Sequence, residues 1–514
     1  MVKGITTMKI FASSVALLAA GWAGEASALA LQASQVYNAQ SATTSEIVAF
    51  EADTQRIYVA AGPVVEVRNA VNGALITTLT PPAGFGGVNS VAVKNGRLAV
   101  AADAATRTDP GGVFFYNTGN LAASPSIVQV GAVPDNVVFT PDGSRLLVAN
   151  EGEPNSYGQV NSVNPEGSIS VIDVATLAEQ KATFTNFTAQ GLRDAGVRIY
   201  GPGATAAQDL EPEYIAVSPD GTKAYVTLQE NNAIAIVDLV GASPTVQSIV
   251  SLGVKNNGLA GNGFDASDQN GNGQIQTYAN IRSFYTPDGI VAVEKNGSLL
   301  LITANEGDVR SSDDFPGFNE TVRLGQAAPL NRINVTTTPG ITDVEAGVNY
   351  VAGARSYSIW DQNGTLLFDS GDELERIIAT QFPQLWADGR SDDRGPEPEA
   401  VEAGWVDGRL VLFVAAERFG GIYAFDLTDF SADNVVRPLF LGLIANSSVL
   451  DRPEGLEFIS AAESFDGNAY LAIANEQSNN TLLYRISVVP EPGSILALGA
   501  GLIGLGALAR RRKA

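Results

Sequence analysis

The chain has neither cysteine nor histidine in its 514 residues. Without cysteine there is no disulfide framework, no thiol nucleophile and no thiolate ligand. Without histidine there is no Ser-His-Asp triad and no imidazole to hold zinc or copper. Any bound metal must therefore be held by oxygen, which favours Ca²⁺ or Mg²⁺. Positive charge is also scarce: 31 Lys and Arg stand against 55 Asp and Glu, a formal charge of −24. Nucleic acid is a poor partner for such a chain, because a phosphate backbone needs a basic footprint. The same excess of acid is the ordinary surface of a soluble exported protein.

What the chain does have is one hairpin pattern, written seven times. The clearest copies are PDNVVFTPDGSRLLVANE from Pro134, EPEYIAVSPDGTKAYVTLQE from Glu211, TPDGIVAVEKNGSLLLITANE from Thr286, EPEAVEAGWVDGRLVLFVAAE from Glu397 and RPEGLEFISAAESFDGNAYLAIANE from Arg452. Weaker copies start at Ser45 and Asn89. Each joins two short apolar, β-branched runs through a turn signal such as Asp142-Gly143, Asp220-Gly221 or Asp407-Gly408, the sequence form of a two-stranded hairpin. Third runs ending in Asp follow in GSISVIDV, NAIAIVDL and GIYAFDL. Four short antiparallel strands repeated every ~40–45 residues define propeller blades, since one blade cannot bury its faces without neighbours. The expected fold is all-β, a seven-bladed β-propeller with long loop insertions after Glu151, over Thr183–Asp209, over Val254–Phe284 and over Val309–Pro396. The late run Thr481–Ile486 and an early run around Gln35–Tyr37 are candidates to share one blade and close the ring.

Both ends read as addresses. Lys9 precedes the apolar run Ile10–Ala20, and small-residue cleavage sites follow at Ala26-Ser27-Ala28 and Ala28-Leu29-Ala30, as in a secretory signal peptide. At the other end Val489-Pro490-Glu491-Pro492 leads into the uncharged run Gly493–Ala509 and then Arg510, Arg511, Arg512 and Lys513. That run barely spans a bilayer, and the basic cluster would remain cytoplasmic. The expected organisation is 1–30 signal peptide, 31–487 propeller and 488–514 tail. A plain membrane anchor is one reading of the tail. The order of Pro490, Glu491 and Pro492, short Gly-rich helix and basic terminus resembles the PEP-CTERM sorting signal of Gram-negative, exopolysaccharide-producing bacteria. The resemblance implies an exosortase as partner, a membrane-tethered intermediate held by the C-terminal helix before processing, and a final place at the cell surface or outside it.

The acids show a regularity when each hairpin is centred on its turn. Residues equidistant from the turn face one another, which pairs Asn89 with Asp103, Asp135 with Glu151, Glu213 with Glu230, Asp288 with Glu306, Glu399 with Glu417 and Glu454 with Glu476. First strands of blades line a central channel, so these pairs should crowd one mouth of the ring. Like charges placed together repel unless they are protonated or neutralised, and Ca²⁺, which accepts six to eight oxygens in irregular geometry, is the expected counter-ion. Three readings stand side by side: polar residues paired with Arg107, Arg310, Arg394 and Arg418 or with backbone, Ca²⁺ bound structurally, and a catalytic metal. Asp268, Asn270 and Asn272 with Gly273 match the first half of an EF-hand-type loop, but position twelve is Ala279 rather than Glu. A second oxygen-rich loop gathers Asp392, Asp393, Glu397, Glu399 and Glu402 around Arg390 and Arg394.

The strings PDNVVFTPDGSRLLVANEGEPN, FDASDQNGNGQIQ, ITANEGDVRSSDDF, RSYSIWDQNGTLLFDSGD, RSDDRGPEPEAVEAG, AERFGGIYAFDLTD, RPEGLEFIS and IANEQSNNTLLYRI together resemble the choice-of-anchor I family of bacterial surface proteins, over roughly Ser45–Ser487. The isolated PDG hairpin is shared with YVTN-type and lactonase-type propellers. The family resemblance implies a propeller ectodomain fixed to cell surfaces by varied C-terminal devices. Some similar propellers are Ca²⁺-dependent phosphoesterases of phytase-like and PhoX-like type, but this chain lacks the Cys of the PhoX-like iron centre. Two functions follow as expectations. The first is a binding or matrix module whose calcium-bearing acidic rim carries loops that contact extracellular polymer or a surface protein. The alternative is a Ca²⁺-dependent phosphoesterase in which Glu151, Glu230, Glu306, Glu417 and Glu476 bridge metal and Arg310, Arg394 or Arg418 clamps phosphate. A lactonase-like activity is a third, on fold analogy alone.

Overall fold

The computed structural model describes residues 29–241, 243–432, 436–445 and 449–490. The expected signal peptide up to residue 28, and the tail from Glu491 onward with Pro492 and the apolar run, lie outside the described residues. Each of the seven hairpins forms half of a four-stranded sheet. The first strands are Val48–Glu51, Phe85–Lys94, Pro134–Phe139, Pro212–Val217, Ile290–Lys295, Pro398–Val406 and Pro453–Ile459. Each lies beside the next, and the seventh beside the first, so the ring of blades is closed around an axis. Blades are numbered one to seven in that order.

Second strands read as nearly continuous apolar runs because a blade is covered on both faces. In blade three Leu146 and Val148 pack with Ala99, Ala101 and Val113 of blade two on one face, while Leu147 and Ala149 pack with Ala224 and Val226 of blade four on the other. Full burial of each Val or Leu is worth about 1.5–3 kcal/mol. The turns are built by the Asp-Gly signal. Asp142 Oδ1 accepts from the Thr140 hydroxyl at 2.7 Å and from Ser144 N at 3.0 Å, and Gly143 takes φ +74°. Asp220 repeats the arrangement with Ser218 and Thr222.

Blade seven is completed by the other end of the chain. Strand Leu29–Gln40 pairs with Asn480–Pro490, giving the sheet order Pro453–Ile459, Ala469–Asn475, Asn480–Pro490, Leu29–Gln40. Gln40 Nε2 donates to the carbonyls of Ser478 and Asn479, and Ser41 N to Asn479 O at 2.8 Å. An unpaired edge there would invite pairing with another chain. Removing residues 29–40 is therefore expected to lower the melting temperature by at least several degrees and to produce oligomers, measured by scanning fluorimetry and size-exclusion chromatography.

The insertions form structure of their own. A small sheet joins Val254–Asn256 and Ile281–Phe284, from the insertion after blade four, to Asn349–Val351, from the insertion between the second and third strands of blade five, which also carries the hairpin Thr321–Arg323 and Asn334–Thr336; Phe264, Tyr278, Ile281, Ile333 and Val351 form their core. Helix Glu373–Gln381 follows blade five and buries Leu374, Ile377 and Ile378. Among the described residues no helix is long and apolar enough to cross a membrane.

Candidate functional site

The acids reach the axis through a repeated backbone device. The expected face-to-face pairs are corrected by the register: Pro134 pairs with Asn150 and Asn136 with Ala149, so Asp135 is the extra residue of a β-bulge. Asn89 is bulged in the same way, between Val88 and Ser90, and Glu213, Glu399 and Glu454 fall in the register shifts after Pro212, Pro398 and Pro453. A bulge re-aims its side chain away from the ladder. The residue before each Pro-acid step in blades three, five, six and seven is left-handed: Val133 at φ 50°, Thr286 at 41°, Glu397 at 50° and Arg452 at 54°. For β-branched Val133 and Thr286 this is a strained backbone, of the kind held in place at functional sites. It is fixed by the second strand, since Glu151 N donates to Val133 O at 2.8 Å, Glu417 N to Glu397 O at 2.9 Å and Glu476 N to Arg452 O at 2.9 Å.

The result is a single cavity of about 410 Å³ at one mouth of the ring. Asp135, Glu151, Glu213, Asp288, Glu306, Glu399, Glu417, Glu454 and Glu476 all line it, with Asn89. Glu230 lies behind the wall, buried, with its Oε2 unpartnered, and Asp103 accepts from Asn89 Nδ2 at 2.9 Å. The sequence reading overlooked Glu46, Asp308, Gln229 and Tyr214, which also line the cavity, and Glu153 beside it. Glu46 occupies the first-strand position of the weakest repeat, Ser45-Glu46-Ile47, and aligning that copy on its Pro-acid counterparts would have found it. Glu153 and Asp308 each stand two residues past a second-strand Glu.

Eleven carboxylates therefore face three guanidiniums, those of Arg107, Arg394 and Arg418, leaving a formal excess of eight negative charges. Burial first, and neighbouring acids after it, raise most of the set. Asp135 is pushed up to about 6, Asp288 and Glu417 to about 7 and Glu230 to about 8. Glu151, Glu213, Glu306, Glu399 and Glu454 lie well above the ordinary carboxylate range for the same reason.

The guanidiniums are distributed unevenly. Arg394 pairs with Glu306 at 2.9 Å, Asp308 at 2.5 Å and Glu397 at 3.0 Å. Arg418 pairs with Glu397 at 3.2 Å and Glu417 at 3.1 Å, and Arg452 with Glu417 and Glu476. Arg107 pairs with Asp103 and Glu153. Of the second-strand acids Glu306, Glu417 and Glu476 are thus paired with arginine, whereas among the described residues Glu151, Glu230 and the first-strand acids Glu46, Asp135, Glu213, Asp288, Glu399 and Glu454 form no ion pair. Two triads hold carboxylate oxygens within 4.8 Å of one another: Asp288, Glu306 and Glu399, and Glu306, Glu397 and Glu417.

Two expected site groups fall elsewhere. Arg310 is fully buried, its donors committed to Asp209 at 2.6 Å and Glu211 at 2.7 Å, so it is not free to clamp a phosphate at the mouth. The expected calcium half-loop is instead a turn closed on Asp265, which accepts from Ser267 N, Gln274 N and Asn270 Nδ2. Asp268 is held bidentate by Arg332 at 2.8 Å on each oxygen, and Asn270 and Asn272 are exposed. Asp392 and Asp393 serve the same insertion, Asp392 through Arg323 and Arg332 and Asp393 through Arg390 and Asn334.

Among proteins of known name, the "Mesenchyme-specific cell surface glycoprotein" of Strongylocentrotus purpuratus is 30% identical over 293 residues, covering 46% of this chain and 37% of that protein. "Gigasin-3a" of Magallana gigas is 27% identical over 131 residues, covering 22% of this chain and 46% of its own length. The chain spans less than half the length of the curated relatives it matches. Among solved structures, Kuenenia stuttgartiensis Hydrazine Synthase superposes with a TM-score of 0.46 at 11% identity, over 88% of this chain and 97% of that one. That likeness is too low to bear on fold or chemistry. Residues 488–513 match the PEP-CTERM protein-sorting motif, which implies recognition by an exosortase and sorting to the cell surface. With residues 46–430 matching the Choice-of-anchor I domain, the chain belongs to the choice-of-anchor I family.

Proposed function

We propose that this exported, surface-sorted propeller is a binding module whose acidic mouth holds divalent cation, Ca²⁺ by preference, and whose insertions present the contact surface for an extracellular polymer or surface protein. The supporting observation is the convergence of eleven carboxylates from six of the blades' bulges and strand ends on one cavity with three guanidiniums. Only oxygen ligands are present, and their number and irregular placement suit Ca²⁺ better than octahedral Mg²⁺. In this reading a signal peptide over residues 1–30 exports the chain and the tail's apolar helix tethers it until the exosortase acts.

The sign of the charge weighs against the phosphoesterase reading at the same rim. One divalent cation leaves the formal excess at six negative charges and two leave it at four, so a phosphate dianion would enter a negative field. The clamp it needs is also engaged, since Arg394 and Arg418 are already bound to Glu306, Glu397 and Glu417. Calorimetric titration of the chelator-treated protein with Ca²⁺ is expected to show saturable binding, with no turnover of p-nitrophenyl phosphate or phytate in Ca²⁺. Turnover that chelation abolishes would replace the binding reading with the enzyme, and absence of any Ca²⁺ heat or thermal shift would remove the cation from both.

A further inference from the structure

The two carboxylate triads share Glu306 but differ in charge balance, and that difference decides which of them takes a metal. Around Glu306, Glu397 and Glu417 the three negative charges are met by Arg394 and Arg418, with Arg452 at 3.5 Å from Glu417. A divalent ion placed there would be held against two guanidiniums at contact distance, and like charges disfavour one another most where water is thin. Around Asp288, Glu306 and Glu399 the only ion-paired cation among the described residues is Arg394, through Glu306. Asp288 lies within hydrogen-bonding reach of both Glu399 and Glu213. A fourth carboxylate thus borders this triad, and it supplies the second observation that points to a cation. Glu213 is 7% exposed, lines the cavity, and has its Oε2 without a hydrogen-bond partner. A buried carboxylate oxygen left unpartnered is costly unless a ligand satisfies it.

We propose that one divalent cation of calcium size binds between blades four, five and six, held by Asp288, Glu306 and Glu399 with Glu213 as the fourth carboxylate. This rests on the cation-binding reading of the mouth and narrows it to one triad. Glu306 is set for the role: Gln229 Nε2 donates to its Oε2 at 2.7 Å and Arg394 Nη1 to its Oε1 at 2.9 Å, leaving a second lone pair on each oxygen for the ion. Tyr214, the one aromatic side chain of the cavity lining, also lines the 180 Å³ channel space beneath and so forms the floor. Asp288 and Glu399 are among the acids that act on its phenol.

Tb³⁺, a luminescent stand-in for Ca²⁺, reports this placement because its emission is sensitised by a nearby excited aromatic ring. Titration of the purified protein with Tb³⁺ under tyrosine excitation is expected to give emission that Ca²⁺ displaces. Asp288→Asn and Glu399→Gln should each weaken binding by at least roughly tenfold. Tyr214→Phe should lose most of the emission while calorimetry still registers Ca²⁺ binding. Circular dichroism verifies the fold of each variant, and neutralising an unpaired acid relieves repulsion, so these substitutions are not expected to unfold the protein. The placement is overturned if Tyr214→Phe keeps full emission, or if Glu417→Gln abolishes binding while Asp288→Asn and Glu399→Gln do not. Binding lost in none of the variants puts the ion elsewhere at the mouth and spares the broader reading. No Tb³⁺ or Ca²⁺ binding by the unmodified protein overturns both.

Discussion

Replacing Arg310 by Met is expected to destabilise the protein by about 3–5 kcal/mol, the cost of removing one partner of a buried ion pair. Its guanidinium is wholly enclosed with the carboxylates of Asp209 and Glu211, at 2.6 and 2.7 Å, and stacks on the Tyr200 ring with its centre 4.6 Å from the ring centroid. Asp209 has further donors in Tyr200 N and Gly201 N, but Glu211 Oε1 has none. Even beside Arg310, burial raises Glu211 to about 7. Without the guanidinium both acids must protonate or drag water inward. Chemical denaturation followed by intrinsic fluorescence measures the loss, and the double variant Arg310→Met, Asp209→Asn should recover part of it. A loss under about 1 kcal/mol, the range of an exposed ion pair, would show that the three groups are not sequestered from water.

That same cluster shows where the sequence stops being informative. The hairpins are legible because their signals are local: a Gly three residues beyond a Thr or Ser that hydrogen-bonds the intervening Asp fixes the turn, and the flanking apolar runs fix the strands. Seven such units imply mutual burial, and the ring follows. The convergence of the acids was legible for a related reason, since five of the seven repeats set one acid before the turn opposite another after it. Its mechanism was not. The bulge at Asp135 depends on Val133 adopting a left-handed backbone, and nothing in a β-branched residue announces that. Arg310 lies 101 residues from Asp209 and 99 from Glu211, so no spacing rule separates it from Arg394, which does reach the mouth. Asp268, Asn270 and Asn272 matched a calcium half-loop by spacing, yet Asp265 and Arg332 supply the competing partners, one just outside the motif and one in a distant hairpin.

In chelator, the protein is expected to melt at a higher temperature at pH 5 than at pH 8, the reverse of what paired carboxylates give. Asp135, Asp288, Glu417 and Glu230 sit at about 6, 7, 7 and 8 in the folded state, above the ordinary range near 4, chiefly through burial. The folded protein therefore keeps protons that the unfolded chain has released. Their stabilisation is fully present below about pH 4 and is lost as pH rises through 6 to 8, at about 1.4 kcal/mol for each unit of displacement. Exposed acids titrate below this window, so the slope between pH 5 and 8 belongs to buried acids, those of the mouth together with Glu211 and Glu402, rather than to the net charge of −24. Ca²⁺ should act in the opposite sense. It competes with protons for the same oxygens, so its effect is small at pH 5 and large at pH 8, reaching about 2.7 kcal/mol at a hundredfold excess over its dissociation constant. Asp288→Asn should raise the melting temperature at pH 8 in chelator and reduce the response to Ca²⁺, a pairing of gained stability with weakened binding that ordinary damage to a fold does not produce. A melting temperature in chelator that climbs steadily from pH 5 to pH 8 would mean that the carboxylates are ionised and compensated as they stand, and the mouth would then have no need of a cation.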